Sequence, residues 1–351
     1  MDEHTTQFLK QLLATPGPSG DEGVVARVWR DEAKSFADEV TADVRGSSFA
    51  LLKGGAPRVL LAGHIDEIGL MVNYIDDEGY LWFSGIGGWD SQVLVGQRVR
   101  LVGKQGDVIG VIGKKPIHLM DHDDRSKVSK ITDLWIDIGA RSRVEANERV
   151  RIGTVGVLDA PLYDFPNGRL VSRSIDNRVG AFTVLQALRL LAQNKPAATV
   201  VAVATAQEEI TFAGARTAAF NFDPQVAIAV DVTFATDHPS ANKHENGEIK
   251  LGGGPVFSRG AANSPVIFDM LIETAEREGI PYGVQASPHS TGTDADEIHI
   301  VRSGIATGVV SIPNRYMHSP NEMIDLADLD HAARLIAAFV RSLTPEMDFI
   351  P

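Results

Sequence analysis

The chain has no cysteine in its 351 residues, so disulfides, thiol nucleophiles and thiolate metal sites are excluded at the outset. Nor does it hold an uninterrupted apolar run near the roughly 20 residues that a membrane-spanning helix needs. Positive charge is scarce: 33 Lys and Arg stand against 46 Asp and Glu, a net charge of −13. A nucleic-acid partner, which requires a basic face, is therefore not expected, and the acidic surplus serves solubility. The opening residues MDEHTTQFLK carry acids and no apolar signal core, which makes the cytoplasm the expected location. What remains is ordinary globular composition, 44% hydrophobic and 23% charged, at a length that suggests about two domains.

Periodicity organises the chain. Phe8, Leu9, Leu12 and Leu13 share one helical face. The segment TPGPSGDEG breaks that helix and offers Ser19 as the cap of a second one running to about Phe36. RVLLAGHIDEIGLMV reads as a strand buried on both faces. Between residues 67 and 162 the texture changes to short β-rich runs separated by Gly or charged turns, with no long helix. From there on, apolar strands such as ATVVAVAT, VAIAVDVT and ATGVVSI alternate with helical stretches. The expected fold is α/β, a mixed sheet layered by helices formed by residues 1–66 and 163–351, interrupted by a small all-β domain at 67–162.

Ligands of open α/β sheets bind beyond the carboxyl ends of the strands. There the sequence places His64 and Asp66 after VLLAG, Glu208 and Glu209 after VVAVATAQ, Asp231 in VAIAVDVT and His318 after GVVSIPNRYM. Asp176 stands just before a helix. Charges at the ends of buried strands are costly unless paired or metal-bound, and no cation accompanies these acids consistently. Oxygen and imidazole donors suit zinc, cobalt or manganese. Two ions sharing a carboxylate would use His64, Asp176, Glu209, Asp231 and His318, leaving an acid free to move a proton. Taken singly, each of these groups reads as a cap or a surface loop residue; their convergence favours a metal site.

Five stretches, AGHIDEIGLMV, SRSIDNRVG, ATAQEEITFAGA, AVDVT and NRYMHSPNE, resemble the tetrahedral aminopeptidases, a family of co-catalytic dinuclear metallopeptidases of glutamyl and leucyl aminopeptidase type. The resemblance runs over nearly the whole chain, with no departure at a ligand position. It implies a zinc-aminopeptidase-like fold and two divalent ions per subunit, with zinc first and cobalt or manganese as alternatives. His64 and Asp231 would hold one ion and Glu209 and His318 the other, with Asp176 between them. Glu208 would be the general base and Asp66 the residue that orients His64. Short peptides would be the substrates. The inserted β-domain would carry no metal ligand and would mediate self-association, as a dimer-based dodecamer.

Other features carry weaker signals. HLMDHDDRSK (118–127) looks metal-like but reads as a solvated loop, and TDHPSANKHENGE, with His238 and His244, as a turn-rich surface segment. LGGGP (251–255) lacks the GK[ST] ending of a phosphate loop and reads as a turn. In STGTDADEIHI, Thr293 is a candidate helix cap, with Asp294 or Asp296 facing the cleft or purely structural. Ser174 lacks a nucleophile elbow. Two other functions are compatible with parts of the pattern: a glycoside hydrolase, which needs two carboxyls on opposite sides of the scissile bond and no His ligands, and a non-catalytic assembly protein that keeps the fold.

Overall fold

The structure is a computed structural model and describes residues 1–351 except the side chain of Asp124. An eight-stranded sheet forms its centre, in the spatial order 39–42, 48–52, 198–205, 55–64, 226–234, 306–314, 256–260 and 283–287. The four middle strands, from Ala198–Thr205 to Ala306–Asn314, run parallel. Successive residues of a strand face opposite sides, and here both sides are covered. Val59 and Leu61 join a core under the helices Glu3–Ala14, Ile175–Gln193, Pro265–Glu278 and Leu326–Ser342. Leu60 and Ala62 join a second core under Ala213–Phe222 and Ala295–Ile298. Double coverage is why these strands read as unbroken apolar runs.

Six antiparallel strands between Gly69 and Leu158 close into a barrel with its own core around Leu70, Phe83, Val99 and Ile136. Two short helices, Ser91–Leu94 and Arg143–Arg149, sit within this region. A separate three-stranded sheet joins 163–165, 169–172 and 322–325. No helix among the described residues is long and apolar enough to cross a membrane.

Two local readings are corrected. RVLLAGHIDEIGLMV is not one strand: Gly55–His64 belongs to the central sheet and Gly69–Ile75 to the barrel. The residues between them turn away because the chain crosses there from one core to another. Ser19 does not cap the second helix, which spans Gly23–Ala33 with Glu22 at the cap position. Its hydroxyl donates to the carboxylate of Asp66 instead.

One close approach sets the sheet against its main helix. A Cβ on Gly63 would lie 2.4 Å from the carbonyl carbon of Gly180, so only glycine lets the helix Ile175–Gln193 press against the strand that ends in His64.

The same helix anchors the N-terminal segment through Arg178, which is fully buried. Its guanidinium donates to the carbonyls of Leu12, Thr15, Gly17 and Ile65 and to Glu67 Oε1 at 2.7 Å. Glu67 also accepts from Arg173 and from the Gly17 amide. Arg178→Met would strand these buried acceptors together, and breaking a buried charge network costs about 3–5 kcal/mol. The expected outcome is a fall of that order in denaturant unfolding free energy. A loss below about 1 kcal/mol, the scale of an exposed pair, would show that the network is not what holds the segment.

Candidate active site

Because the four middle strands are parallel, their carboxyl ends meet at one edge of the sheet. His64 closes its strand and pairs in register with Thr205, the last residue of the neighbouring strand. Glu208 and Glu209 follow shortly after Thr205, Asp231 lies near the end of Val226–Phe234, and His318 comes just past Asn314. Asp176 enters from the first turn of Ile175–Gln193. All six side chains line one cavity of about 430 Å³.

The contacts divide into two halves that share Asp176. Its Oδ1 lies 3.2 Å from His64 Nε2, and its Oδ2 lies 3.3 Å from His318 Nε2. On the first side, Glu208 Oε2 is 3.5 Å and Asp231 Oδ1 3.9 Å from His64 Nε2. On the second, Glu209 Oε2 is 3.5 Å from His318 Nε2. Two triads converge tightly enough for a cation, His64 with Asp176 and Glu209, and His64 with Glu208 and Asp231. Geometry alone therefore allows Glu208 as a ligand as well as a base.

Glu208 and Glu209 are not parted by an extended backbone. Gln207 takes a left-handed conformation with φ 62°, and both glutamates open a short helix, Glu208–Thr211. Their divergence comes from the helical turn. Asp66 pins that turn, since its carboxylate accepts from the amides of Glu208 at 3.1 Å and Glu209 at 3.2 Å. The negative carboxylate at a helix N-terminus is electrostatically favourable. Asp66 also faces His64 Nδ1, through its carbonyl at 3.3 Å and its carboxylate at 3.4 Å. Both partners can only accept, so Nδ1 carries a hydrogen and Nε2 is the nitrogen that faces the cluster.

Three supporting groups escaped the sequence reading. Glu322, buried, accepts from the amide of Asp176 at 3.2 Å and from that of His318 at 3.1 Å, holding both backbones with one carboxylate. Asn177 donates to the carbonyl of Val230, the residue before Asp231, at 2.7 Å. The carbonyl of Gly88, which belongs to the barrel segment, lies 2.7 Å from His318 Nδ1. A carbonyl only accepts, so His318 also keeps a hydrogen on Nδ1 and turns Nε2 inward. Glu322 stands four residues after His318 in NRYMHSPNE, a spacing that offered a signal. A backbone carbonyl offers none.

With only protein groups around them, the acids are held against their normal ionisation. Burial raises Glu208 and Asp231 well above the usual carboxylate range and pushes Glu209 up to about 8, and neighbouring carboxylates add repulsion. Burial opposes charge on His318, yet Asp176 and Glu209 hold it up at about 9. Burial would raise Asp176 too, but hydrogen bonds from His318 and His64 hold it below the usual range. Glu209 Oε1 is buried with no hydrogen-bond partner. Four acids, two imidazoles with Nε2 facing the cluster and an orphaned oxygen, with no Lys or Arg among the described residues lining the cavity, are a donor set that fits divalent cations.

The remaining motifs lie elsewhere. His118, His122 and Asp123 are exposed and outside the cluster, while the side chain of Asp124 is outside the described residues. His238 Nδ1 faces the Pro239 carbonyl, and His244 lies in the short helix Lys243–Asn246. The amides of Gly252 and Gly254 donate to Asp328 at 2.8 and 2.7 Å, so the chain's own carboxylate occupies the glycine loop. Ser174 donates to the Leu13 carbonyl. Thr293 Oγ1 accepts from the Ala295 amide at 3.2 Å. Asp294 is buried against Thr205 Oγ1 at 2.5 Å, and Asp296 clamps the amides of Thr291 and Gly292.

Residues 46–335 match the M42 glutamyl aminopeptidase family. A lysyl aminopeptidase of Pyrococcus furiosus is 39% identical, covering 98% of this chain and 99% of that protein. Among solved structures, a TET aminopeptidase from a marine sediment Thaumarchaeota archaeon superposes with a TM-score of 0.93 at 36% identity, covering 97% of each chain. A TET peptidase of Pyrococcus horikoshii, described as assembling into a tetrahedron or a large octahedral shell, gives a TM-score of 0.87 at 32% identity over 97% of this chain and 100% of that one.

Proposed function

The chain belongs to the M42 glutamyl aminopeptidase family and acts as an aminopeptidase, and we propose that it does so with two divalent cations and Glu208 as general base. The observation that carries this reading is Asp176, whose two oxygens each face a different histidine at 3.2 and 3.3 Å. His64 and Asp231 would hold one ion, Glu209 and His318 the other, and Asp176 would serve both. Oxygen and imidazole donors suit zinc, with cobalt and manganese as alternatives. When bound, such cations supply Lewis acidity, lowering the pKa of water toward about 7 and polarising the scissile carbonyl.

The chain's own residues do the rest. Glu208, buried beside His64, takes a proton at Oε2 from the attacking water and returns it to the leaving amine. Asp66 fixes where that carboxylate stands by gripping the Glu208 and Glu209 amides. Glu322 and the Gly88 carbonyl hold His318 and Asp176 in place. A glycosidase reading finds no support here. It needs two carboxyls flanking a sugar bond, whereas Glu208 and Glu209 lie against different histidines. Hydrolysis of a panel of amino-acid anilides, with and without a chelator, tests the reading. Turnover that survives complete metal removal, or no turnover with added zinc, cobalt or manganese, would refute it.

We also propose that the barrel mediates self-association into a dimer-based dodecamer. Its outer face exposes Tyr74, Ile109 and Val111, apolar groups of the kind that interfaces cover. Replacing residues 69–158 by a short linker should give a smaller species in light scattering. The linker should start after Glu67, whose carboxylate pairs with Arg173 and Arg178. Activity should fall as well, because the Gly88 carbonyl leaves His318. Unchanged assembly mass would overturn the assignment.

A further inference from the structure

We infer that the residue this enzyme removes carries an uncharged side chain, and that Gln285 sets this preference. The inference rests on the peptidase reading above. The cavity beside the six clustered acids and histidines continues over Thr233, Ser258, Gln285 and Ser287, with Phe234 and Met317 as apolar wall. Beyond the cluster itself, no Asp, Glu, Lys or Arg among the described residues lines it. Two carboxylates, Asp294 and Asp296, stand behind the wall and do not line the cavity. Asp296 accepts from the amides of Thr291 and Gly292 and from the Thr291 hydroxyl, each at 2.8 Å. Asp294 accepts from Thr205 Oγ1 through Oδ2, while its Oδ1 is buried without a hydrogen-bond partner.

Gln285 lies in the edge strand Gly283–Ser287, paired in register with Ser258. Thr233, two residues past Asp231 on its strand, donates to Gln285 Oε1 at 2.7 Å. That bond occupies the amide's acceptor and orients the group, leaving its N–H donors for the cavity. An ammonium entering here would shed water and meet hydroxyls and a donor, with no anion to replace its hydration. A carboxylate would meet donors but no cation. A neutral side chain loses nothing comparable. The net charge of −13 draws cationic peptides to the surface, but salt screens it beyond about 8 Å, so it governs encounter and not the choice made inside the cavity. The chain would then differ in preference from relatives named for lysine and for glutamate.

The test compares anilides of norleucine, leucine, lysine and glutamate with the metal-supplemented enzyme, alongside calorimetric binding of the free amino acids. Norleucine is lysine without its ammonium, so the pair isolates the charge. The uncharged anilides should exceed lysine and glutamate by about 10-fold or more in kcat/KM. Gln285→Glu is isosteric and keeps an acceptor for Thr233. It should raise the lysine-to-norleucine ratio about 10- to 100-fold, and lysine should then bind more tightly than norleucine in calorimetry, with the thermal midpoint unchanged. A wild-type preference for lysine or glutamate would overturn the inference, as would an unchanged ratio and unchanged binding in Gln285→Glu. If no anilide is cleaved and no amino acid binds, the peptidase reading itself has failed, and this inference falls with it.

Discussion

Glu208→Gln is expected to lower kcat by about 10²–10⁴-fold, the usual worth of a positioned general base, while the protein keeps its full complement of metal. Glutamine preserves the size of the side chain and its hydrogen-bonding capacity but removes the basic oxygen. The amide of residue 208 would still donate to Asp66, so the short helix should hold. The substitution also decides between the two roles the geometry allows, since Glu208 lies within ligand reach of His64 and Asp231. A base leaves metal content untouched when amidated; a ligand does not. Glu209→Gln is the control. It removes the carboxylate 3.5 Å from His318 Nε2, and it should weaken one of the two ions, with activity partly restored by excess metal. Full occupancy at Glu209→Gln with metal rescue at Glu208→Gln would show that the two roles are exchanged.

Asp176→Asn should abolish measurable turnover and leave the chain with fewer than about one ion, because a single anionic group serves both halves of the site. The variant should fold normally. The Asp176 backbone is held independently, through its amide on Glu322, and asparagine matches the lost group in shape. Elemental analysis and a thermal melt, run together, separate the possibilities. Two retained ions would refute the shared-ligand assignment, whereas a large drop in midpoint would mean that the carboxylate serves folding first.

The sequence was informative where the physics is local or periodic. The amphipathic helix of Phe8, Leu9, Leu12 and Leu13 appears as Glu3–Ala14 with those four residues buried. The runs ATVVAVAT and VAIAVDVT are strands because β-branched residues, covered on both faces, suit a buried parallel sheet. Chemistry-bearing residues at the ends of such runs had to reach a common edge, since parallel strands deliver their carboxyl ends together.

Local signals misled where a distant partner outcompeted them. Ser19 has the composition of a helix cap, but Asp66, 47 residues on in sequence, takes its hydroxyl. RVLLAGHIDEIGLMV looks continuous, because nothing in its pattern shows that two cores divide it between them.

Composition, apolar period and the order of acids and histidines thus determined, from the chain alone, an α/β sheet with a β-rich insert and the residues that meet at its edge. Tertiary structure alone decided how they meet. Asp176 splits its two oxygens between two histidines, the left-handed Gln207 starts the turn that parts Glu208 from Glu209, Glu322 ties two backbones together, and a barrel carbonyl turns His318 inward. Each depends on the distance between groups remote in sequence, or on a backbone atom common to every residue, and neither leaves a trace in side-chain identity.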